Sequence, residues 1–202
     1  GTTLEEMERI GVKTSERDAD DLYFADNEDV VFSTDSGKIE LYSKYFEDAG
    51  FDALPSYVAH EEPPEGFYRL IYGRAPMHTF GRTSNNANLT DLMSENSVWI
   101  NPKVSKAWGI TAGQYIWLKN QDGIVSDFKI KVRVTERIRW DSIYMVHGFG
   151  HGQTKLTRCF GKGASDTQLI TKVLVDPIMG GTGMRSNFVT FVTEMSEKEA
   201  AS

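Results

Sequence analysis

Gly73-Arg74-Ala75-Pro76-Met77-His78-Thr79-Phe80-Gly81-Arg82-Thr83 follows an apolar run, Phe67 to Tyr72, whose composition predicts a buried strand ended by Gly73. The stretch gathers two arginines, a histidine, two threonine hydroxyls and two glycines. Glycine lets a backbone come close to a ligand, and arginine offers a fork of donors suited to phosphate or carboxylate. Two readings follow. One is a ligand-binding loop at a strand end; the other is a strand-ending glycine with surface arginines paired to the many carboxylates. Three glycine-centred segments further on are its candidate partners: His147-Gly148-Phe149-Gly150-His151, Gly161-Lys162-Gly163 and Met179-Gly180-Gly181-Thr182-Gly183.

The 202 residues suffice for one domain with attachments and a real core. With 40% hydrophobic and 11% aromatic residues the composition is globular. No apolar run approaches the roughly 18 residues of a membrane span. No basic-then-apolar leader opens the chain, and Gly1 in place of Met predicts a piece of a longer protein. A net charge of −7 repels nucleic acid and anionic membrane, so an anionic ligand needs a local exception to that field. Acid is concentrated from Glu5 to Asp29 and from Glu61 to Glu65, whereas Arg69, Arg74 and Arg82 cluster at the opening stretch. The single Cys159 excludes internal disulfides and a thiolate-rich metal site, so these residues alone hold no iron–sulfur cluster.

Residues 1–65 read as an acidic linker with a helix at about 38–49, whose Ile39, Tyr42, Tyr45, Phe46 and Ala49 share one face ahead of Gly50. Leu22, Tyr23 and Phe24 are scattered apolar anchors in that linker, and a short strand around Val30-Val31-Phe32 is an alternative to an extended tail there. Pro55, Pro63 and Pro64 then punctuate a loop up to Gly66. From 66 to 195 the texture is β, with a tail at 196–202. Phe67–Tyr72, Val98–Ile100, Tyr115–Leu118, Phe128–Val134, Ser142–Val146 and Phe188–Val192 are the expected strands, and Asn120-Gln121-Asp122-Gly123 an expected hairpin turn. Asn101-Pro102 opens a short helix that Gly109 stops. Six strands with short helices between them predict a mainly β fold, a compact barrel rather than a sandwich. Trp99, Trp108 and Trp117 read as core.

The order of these signals resembles one family. Ser36-Gly37-Lys38-Ile39-Glu40-Leu41-Tyr42-Ser43, Gly73 through Thr79, Arg82-Thr83, Val98-Trp99-Ile100-Asn101-Pro102, Gly109-Ile110-Thr111-Ala112-Gly113 and Asn187-Phe188-Val189 occur in series. Together they resemble the C-terminal dinucleotide-binding domain of the molybdopterin oxidoreductases, the dimethyl-sulfoxide-reductase family. The segments around His147 and Gly180 resemble its thiosulfate and polysulfide reductase branch. The resemblance spans about Phe32 to Val192 and implies a six-stranded double-psi β-barrel of the aspartate-decarboxylase-like kind. It also implies a molybdopterin guanine dinucleotide with molybdenum or tungsten, held together with the remaining domains of the same catalytic subunit. Iron–sulfur cysteines, an iron–sulfur electron-transfer subunit, a membrane anchor subunit and a periplasmic location belong to the same implied picture; nucleic acid does not.

On that resemblance Gly73, Arg74, His78, Thr79, Arg82, Thr83, Asn101, His147, Gly148, His151 and Asn187 are candidate cofactor contacts, with no catalytic residue and no protein metal ligand among them. Arg74 and Arg82 suit a pyrophosphate. His78 reads either as a hydrogen-bonding neutral imidazole or as a structural histidine. His147 and His151 stand four apart, but two intervening glycines oppose the helix that a zinc pair would use. Gly161-Lys162-Gly163 lacks the spacing of a phosphate loop, and Gly180-Gly181-Thr182-Gly183 lacks a Rossmann context. Asn101 has a second reading as a helix cap; Asn187 has none. A free-standing double-psi barrel that binds protein or peptide is the rival from another class, and would present an apolar groove. A self-cleaving decarboxylase barrel would need a Gly-Ser dipeptide, which this sequence lacks.

Overall fold

A computed structural model describes residues 1–14 and 32–194, in two units, Gly1–Ser56 and Tyr57–Ser202. The anchors at Leu22–Phe24, most of the strand considered at Val30–Phe32 and the 196–202 tail lie outside the described residues. Among the described residues no helix is long and apolar enough to cross a membrane.

The first unit carries α1 (Leu4–Ile10), which Thr3 caps and Gly11 ends, and α2 (Lys44–Asp48). The helix expected over about 38–49 is therefore much shorter. Ser43 takes the N-cap position, its hydroxyl accepting from the Phe46 amide, and no residue of α2 is buried, so the apolar face has no packing to extend it. The boundary falls at Ser56 rather than near residue 65. Residues 61–64 belong with the barrel: the Phe67 amide donates to Pro64 O at 2.9 Å, and Glu61 is tied to Arg69 and Lys172.

The second unit contains β1 (Tyr68–Gly73), α3 (Ala87–Leu92), β2 (Ser97–Ile100), α4 (Pro102–Trp108), β3 (Tyr115–Asn120), β4 (Ile130–Val134), β5 (Ser142–Val146), α5 (Asp166–Leu169), β6 (Leu174–Val175), β7 (Thr182–Gly183) and β8 (Phe188–Val192). Six strands close a barrel in the order β1-β5-β2-β4-β3-β8, and β6 with β7 form a small separate hairpin. The fold is mainly β with short helices, as the strand pattern predicts. Two neighbouring pairs are parallel, β1 with β5 and β2 with β4; the others run antiparallel.

Alternation packs the interior. Val98 and Ile100, Ile116 and Leu118, Ile130 and Val132, Ile143 and Met145 point inward in pairs two apart, with Leu70, Val189 and Phe191. Side chains from the connections plug the two mouths, Ala164 and, from α5, Leu169 at one and Val104 of α4 and Ile110 at the other. The tryptophans depart from expectation. Trp99 and Trp117 lie half-buried on the outer face beneath Arg133 and Lys129, and Trp108 is partly exposed, donating its indole N–H to Tyr68 Oη at 2.7 Å. Inward positions go to smaller branched residues, which fill a six-stranded interior without leaving an indole N–H unpaired.

Strand direction decides what meets at each mouth. Because β1 and β5 are parallel, with Gly73 opposite Val146, the loops leaving them emerge side by side. The antiparallel β2 and β8 bring Asn96 and Asn187, the residues just before them, to that same mouth. The C-terminal ends of β2 and β4 lie at the other.

Candidate functional site

At the Gly73 mouth the sequence builds two interlocked loops. Gly73 O accepts from the His147 amide at 2.8 Å, which carries the parallel ladder one step beyond the strands. The 74–83 loop then folds over Phe149, with Ala75 and Val146 in a small apolar cluster beneath it. At its tip Phe80 has φ 52°, a conformation rare outside glycine. Gly148 answers from the other loop with φ 90°, and a Cβ there would stand 2.5 Å from the Phe80 carbonyl carbon. Only glycine lets these backbones touch.

Several candidate cofactor contacts therefore have other work. Gly148 spends its missing side chain on Phe80, not on a ligand. His78 is 6% exposed, with Nε2 2.7 Å from Met93 O and Nδ1 3.2 Å from Thr83 Oγ1. Thr83 Oγ1 in turn accepts the Thr79 amide at 2.8 Å. Nε2–H donating and Nδ1 accepting satisfies the whole set, so His78 and Thr83 pin the loop. His151 Nε2 is 2.8 Å from Ser84 Oγ and its ring packs against Gly81, latching the second loop to the first. Asn187 has the structural explanation that the sequence concealed. At 0% exposure its Oδ1 accepts from the Thr171 and Lys172 amides and from Gln121, and its Nδ2 donates to Lys172 O and Met184 O. Asn101 lies at the opposite mouth. Its Oδ1 caps α4 through the Lys103 amide and its Nδ2 donates to Ile138 O, so both ends of the amide are in use.

What remains lines a cleft of about 540 Å³. Arg74 stands with its Cζ 4.7 Å from the centre of the Phe80 ring, and Arg185 with its Cζ 5.7 Å from that of Tyr72. Arg185 Nη2 also donates to Tyr72 O at 3.4 Å. Met184 adds an apolar wall, and His147 lies between the aromatics, its ring edge-on to Phe80 at 5.3 Å. Neither arginine has a carboxylate partner among the described residues. Beside the cleft, burial pushes the Tyr144 phenol above its ordinary pKa, so it stays an uncharged O–H against Gly73. Thr79 and Arg82 are exposed, and the Arg82 guanidinium has no partner among the described residues. Arg185, Tyr72, Phe80 and Met184 were not among the candidate cofactor contacts. Only the proximity of Arg185 to the Gly180 segment hinted at it, since strand pairing rather than spacing brings it beside Tyr72.

Two guanidiniums with free faces, an imidazole and flanking aromatic rings suit an anionic ligand with flat rings. Residues 68–188 match the family model described as the molydopterin dinucleotide binding domain. The chain belongs to that family. It is 36% identical over 140 residues, 66% of its length, to the thiosulfate reductase molybdopterin-containing subunit PhsA of Salmonella typhimurium, and covers 17% of that protein. It is 30% identical over 112 residues, 48% of its length, to the acetylene hydratase of Syntrophotalea acetylenica, of which it covers 14%. The chain thus spans under a fifth of these relatives. Among solved structures, acetylene hydratase from Pelobacter acetylenicus superposes with a TM-score of 0.60 at 22% identity, over 82% of this chain and 25% of that one, a likeness of fold. This molybdopterin-dinucleotide-binding domain is thus of the kind found in molybdopterin oxidoreductases.

Proposed function

We propose that the domain closes the cofactor cleft of a molybdopterin-dependent reductase acting on thiosulfate, polysulfide or a related oxyanion, and holds a molybdopterin guanine dinucleotide there. The observation that carries the reading is the pair of guanidiniums, Arg74 and Arg185, each against an aromatic ring and without a carboxylate partner among the described residues, at a mouth where internal hydrogen bonds hold most other polar groups. Their donors suit a pyrophosphate, and the faces of Phe80 and Tyr72 suit a flat base or pterin. Thr79 and Arg82 offer further donors along the rim, and Gly73, lacking a side chain, leaves room in the cleft. When bound, the cofactor supplies the molybdenum or tungsten at which electrons are exchanged. This chain's share is to bind, to orient and to exclude water.

The similarity to the thiosulfate reductase subunit supports the sulfur substrate. The rest of the catalytic subunit, with an iron–sulfur cluster, would complete the cleft; an iron–sulfur electron-transfer subunit and a membrane anchor would carry electrons to it in the periplasm. The isolated 202 residues are expected to be inactive, because the other wall of the cleft and the route for electrons lie elsewhere.

The full-length subunit should carry pterin and metal in stoichiometric amounts and reduce thiosulfate or polysulfide with a reduced viologen dye, while the 202-residue chain turns over neither. A full-length protein free of pterin overturns the cofactor reading. One that carries pterin and metal yet reduces neither sulfur compound overturns the substrate.

A further inference from the structure

Among the described residues the only buried carboxylate is Asp166, 1% exposed at the start of α5. A buried carboxylate is costly unless paired, and among the described residues no lysine or arginine is within ion-pair distance. Its partner is His147, whose Nδ1 lies 2.8 Å from Asp166 Oδ2.

Both groups are held from behind. Asn96, wholly buried, donates from Nδ2 to Val146 O at 2.8 Å and to Ala164 O at 2.9 Å, and its Oδ1 accepts the Ala164 amide at 3.0 Å. Val146 immediately precedes His147, and Ala164 stands just ahead of the Ser165-Asp166 pair. One side chain thus joins the two backbones that carry the imidazole and the carboxylate. Gly150 adds a second tie: a Cβ on it would come 2.3 Å from Ser165 N, so the loops meet backbone to backbone.

We propose that Asp166 is a positioning residue that locks His147 as the Nδ1–H tautomer, so that Nε2 accepts a hydrogen bond from a ring edge of the ligand while Arg74 and Arg185 take its phosphates. This rests on the reading that the cleft receives the dinucleotide. An ionised carboxylate only accepts, so the proton between the two groups belongs to Nδ1, and a neutral ring so held has its lone pair on Nε2. Nε2 has no partner among the described residues. No buried side-chain nitrogen or oxygen there lacks one, so Nε2 reaches the cleft that the ring lines. The groups that set its charge environment are Asp166 from α5 and the two arginines across the cleft. Ionised phosphate oxygens are acceptors and have nothing to give a lone pair. Ring N–H and amino groups, as on a pterin or guanine edge, do. The cleft is thereby divided into an anion side and a ring-edge side.

Imidazole nitrogen NMR on the 202-residue chain reads the tautomer directly. His147 should be protonated on Nδ1 at neutral pH, should shift toward Nε2–H in Asp166→Asn, whose amide can donate to Nδ1, and should return to Nδ1–H in Asp166→Glu. Titration with two probes, 6-hydroxymethylpterin and inorganic pyrophosphate, reads the consequence. Asp166→Asn should weaken the pterin about tenfold, the loss of one hydrogen bond, and leave pyrophosphate within about twofold. Asp166→Glu should restore pterin binding. An Nε2–H tautomer in the unaltered chain overturns the proposal, as does a variant that weakens both probes alike. If the unaltered chain takes neither probe, the cleft reading fails and takes the role of Nε2 with it, whatever the tautomer.

Discussion

The two mouths of the barrel are closed by similar means and left with opposite chemistry. At the Gly73 mouth, Asn96, Asn120 and Asn187 staple the loops, and the groups left facing the cleft are the Arg74 and Arg185 guanidiniums and His147 Nε2, with Arg82 exposed on the rim. At the Asn101 mouth, α4 lies across the opening and a cleft of about 460 Å³ is rimmed by Glu62, Glu65 and Asp141 with a single cation, Lys103, and with Trp140 59% exposed beside it. In a chain of net charge −7, the Gly73 cleft is lined by Arg74 and Arg185 and by no carboxylate, whereas the Asn101 cleft carries three carboxylates beside Lys103. An anion is favoured at the Gly73 cleft over the more acidic one.

That contrast can be broken most forcefully at Gly148. Alanine there forces a Cβ into the Phe80 backbone in a left-handed conformation, and should cost about 3–5 kcal/mol in urea unfolding. A loss under 1 kcal/mol would mean the loops are not interlocked. Next, Asn187→Ala leaves two amides and two carbonyls without partners and should cost about 2–4 kcal/mol. The same change at Asn101, with one cap and one carbonyl at stake, should cost about half as much. Arg74→Ala and Arg185→Ala sharpen the contrast from the other side. Each should weaken pyrophosphate about tenfold by calorimetry while the urea midpoint stays put. The smallest effect belongs to the acidic mouth. At Asp141 partial burial raises the pKa, but hydrogen bonds from Arg139 and Ser142 outweigh it and leave the carboxyl below its ordinary value. A depressed folded pKa contributes stability that is present above the unfolded value of about 3.9 and is lost as pH falls through the lower, folded one. Arg139→Ala should therefore cost under about 1 kcal/mol near neutrality, and the two unfolding curves should converge below about pH 4.

The barrel was legible because alternation is a strong signal: Phe128 to Val134 shows its inward and outward faces in the bare sequence, and Asn101-Pro102 with Gly109 marks α4 at both ends. The linker helix was legible in type but not in length, since periodicity at Ile39 and Tyr42 says nothing of whether a surface awaits them. The site was legible only as a region. Gly73 through Thr83 does build the rim, yet His78, Gly148, His151 and Asn187 prove to be its fastenings. A polar residue that satisfies a backbone and one that satisfies a ligand have the same letter in a sequence. Arg185 and Asp166 were missed because contacts across the barrel, not spacing along the chain, bring the one to the cleft and the other behind His147.

The pairing of β1 also sets an order of events. It is the first barrel strand in the chain, yet its neighbours are β5 and β8, the last two barrel strands. An apolar strand must wait, unpaired, while most of the domain is made, and closure comes only when residues 188–192 arrive. Such dependence on distant partners slows folding. A chain stopped short of β8 would leave β1 and β3 as open edges, ready to recruit a neighbour instead.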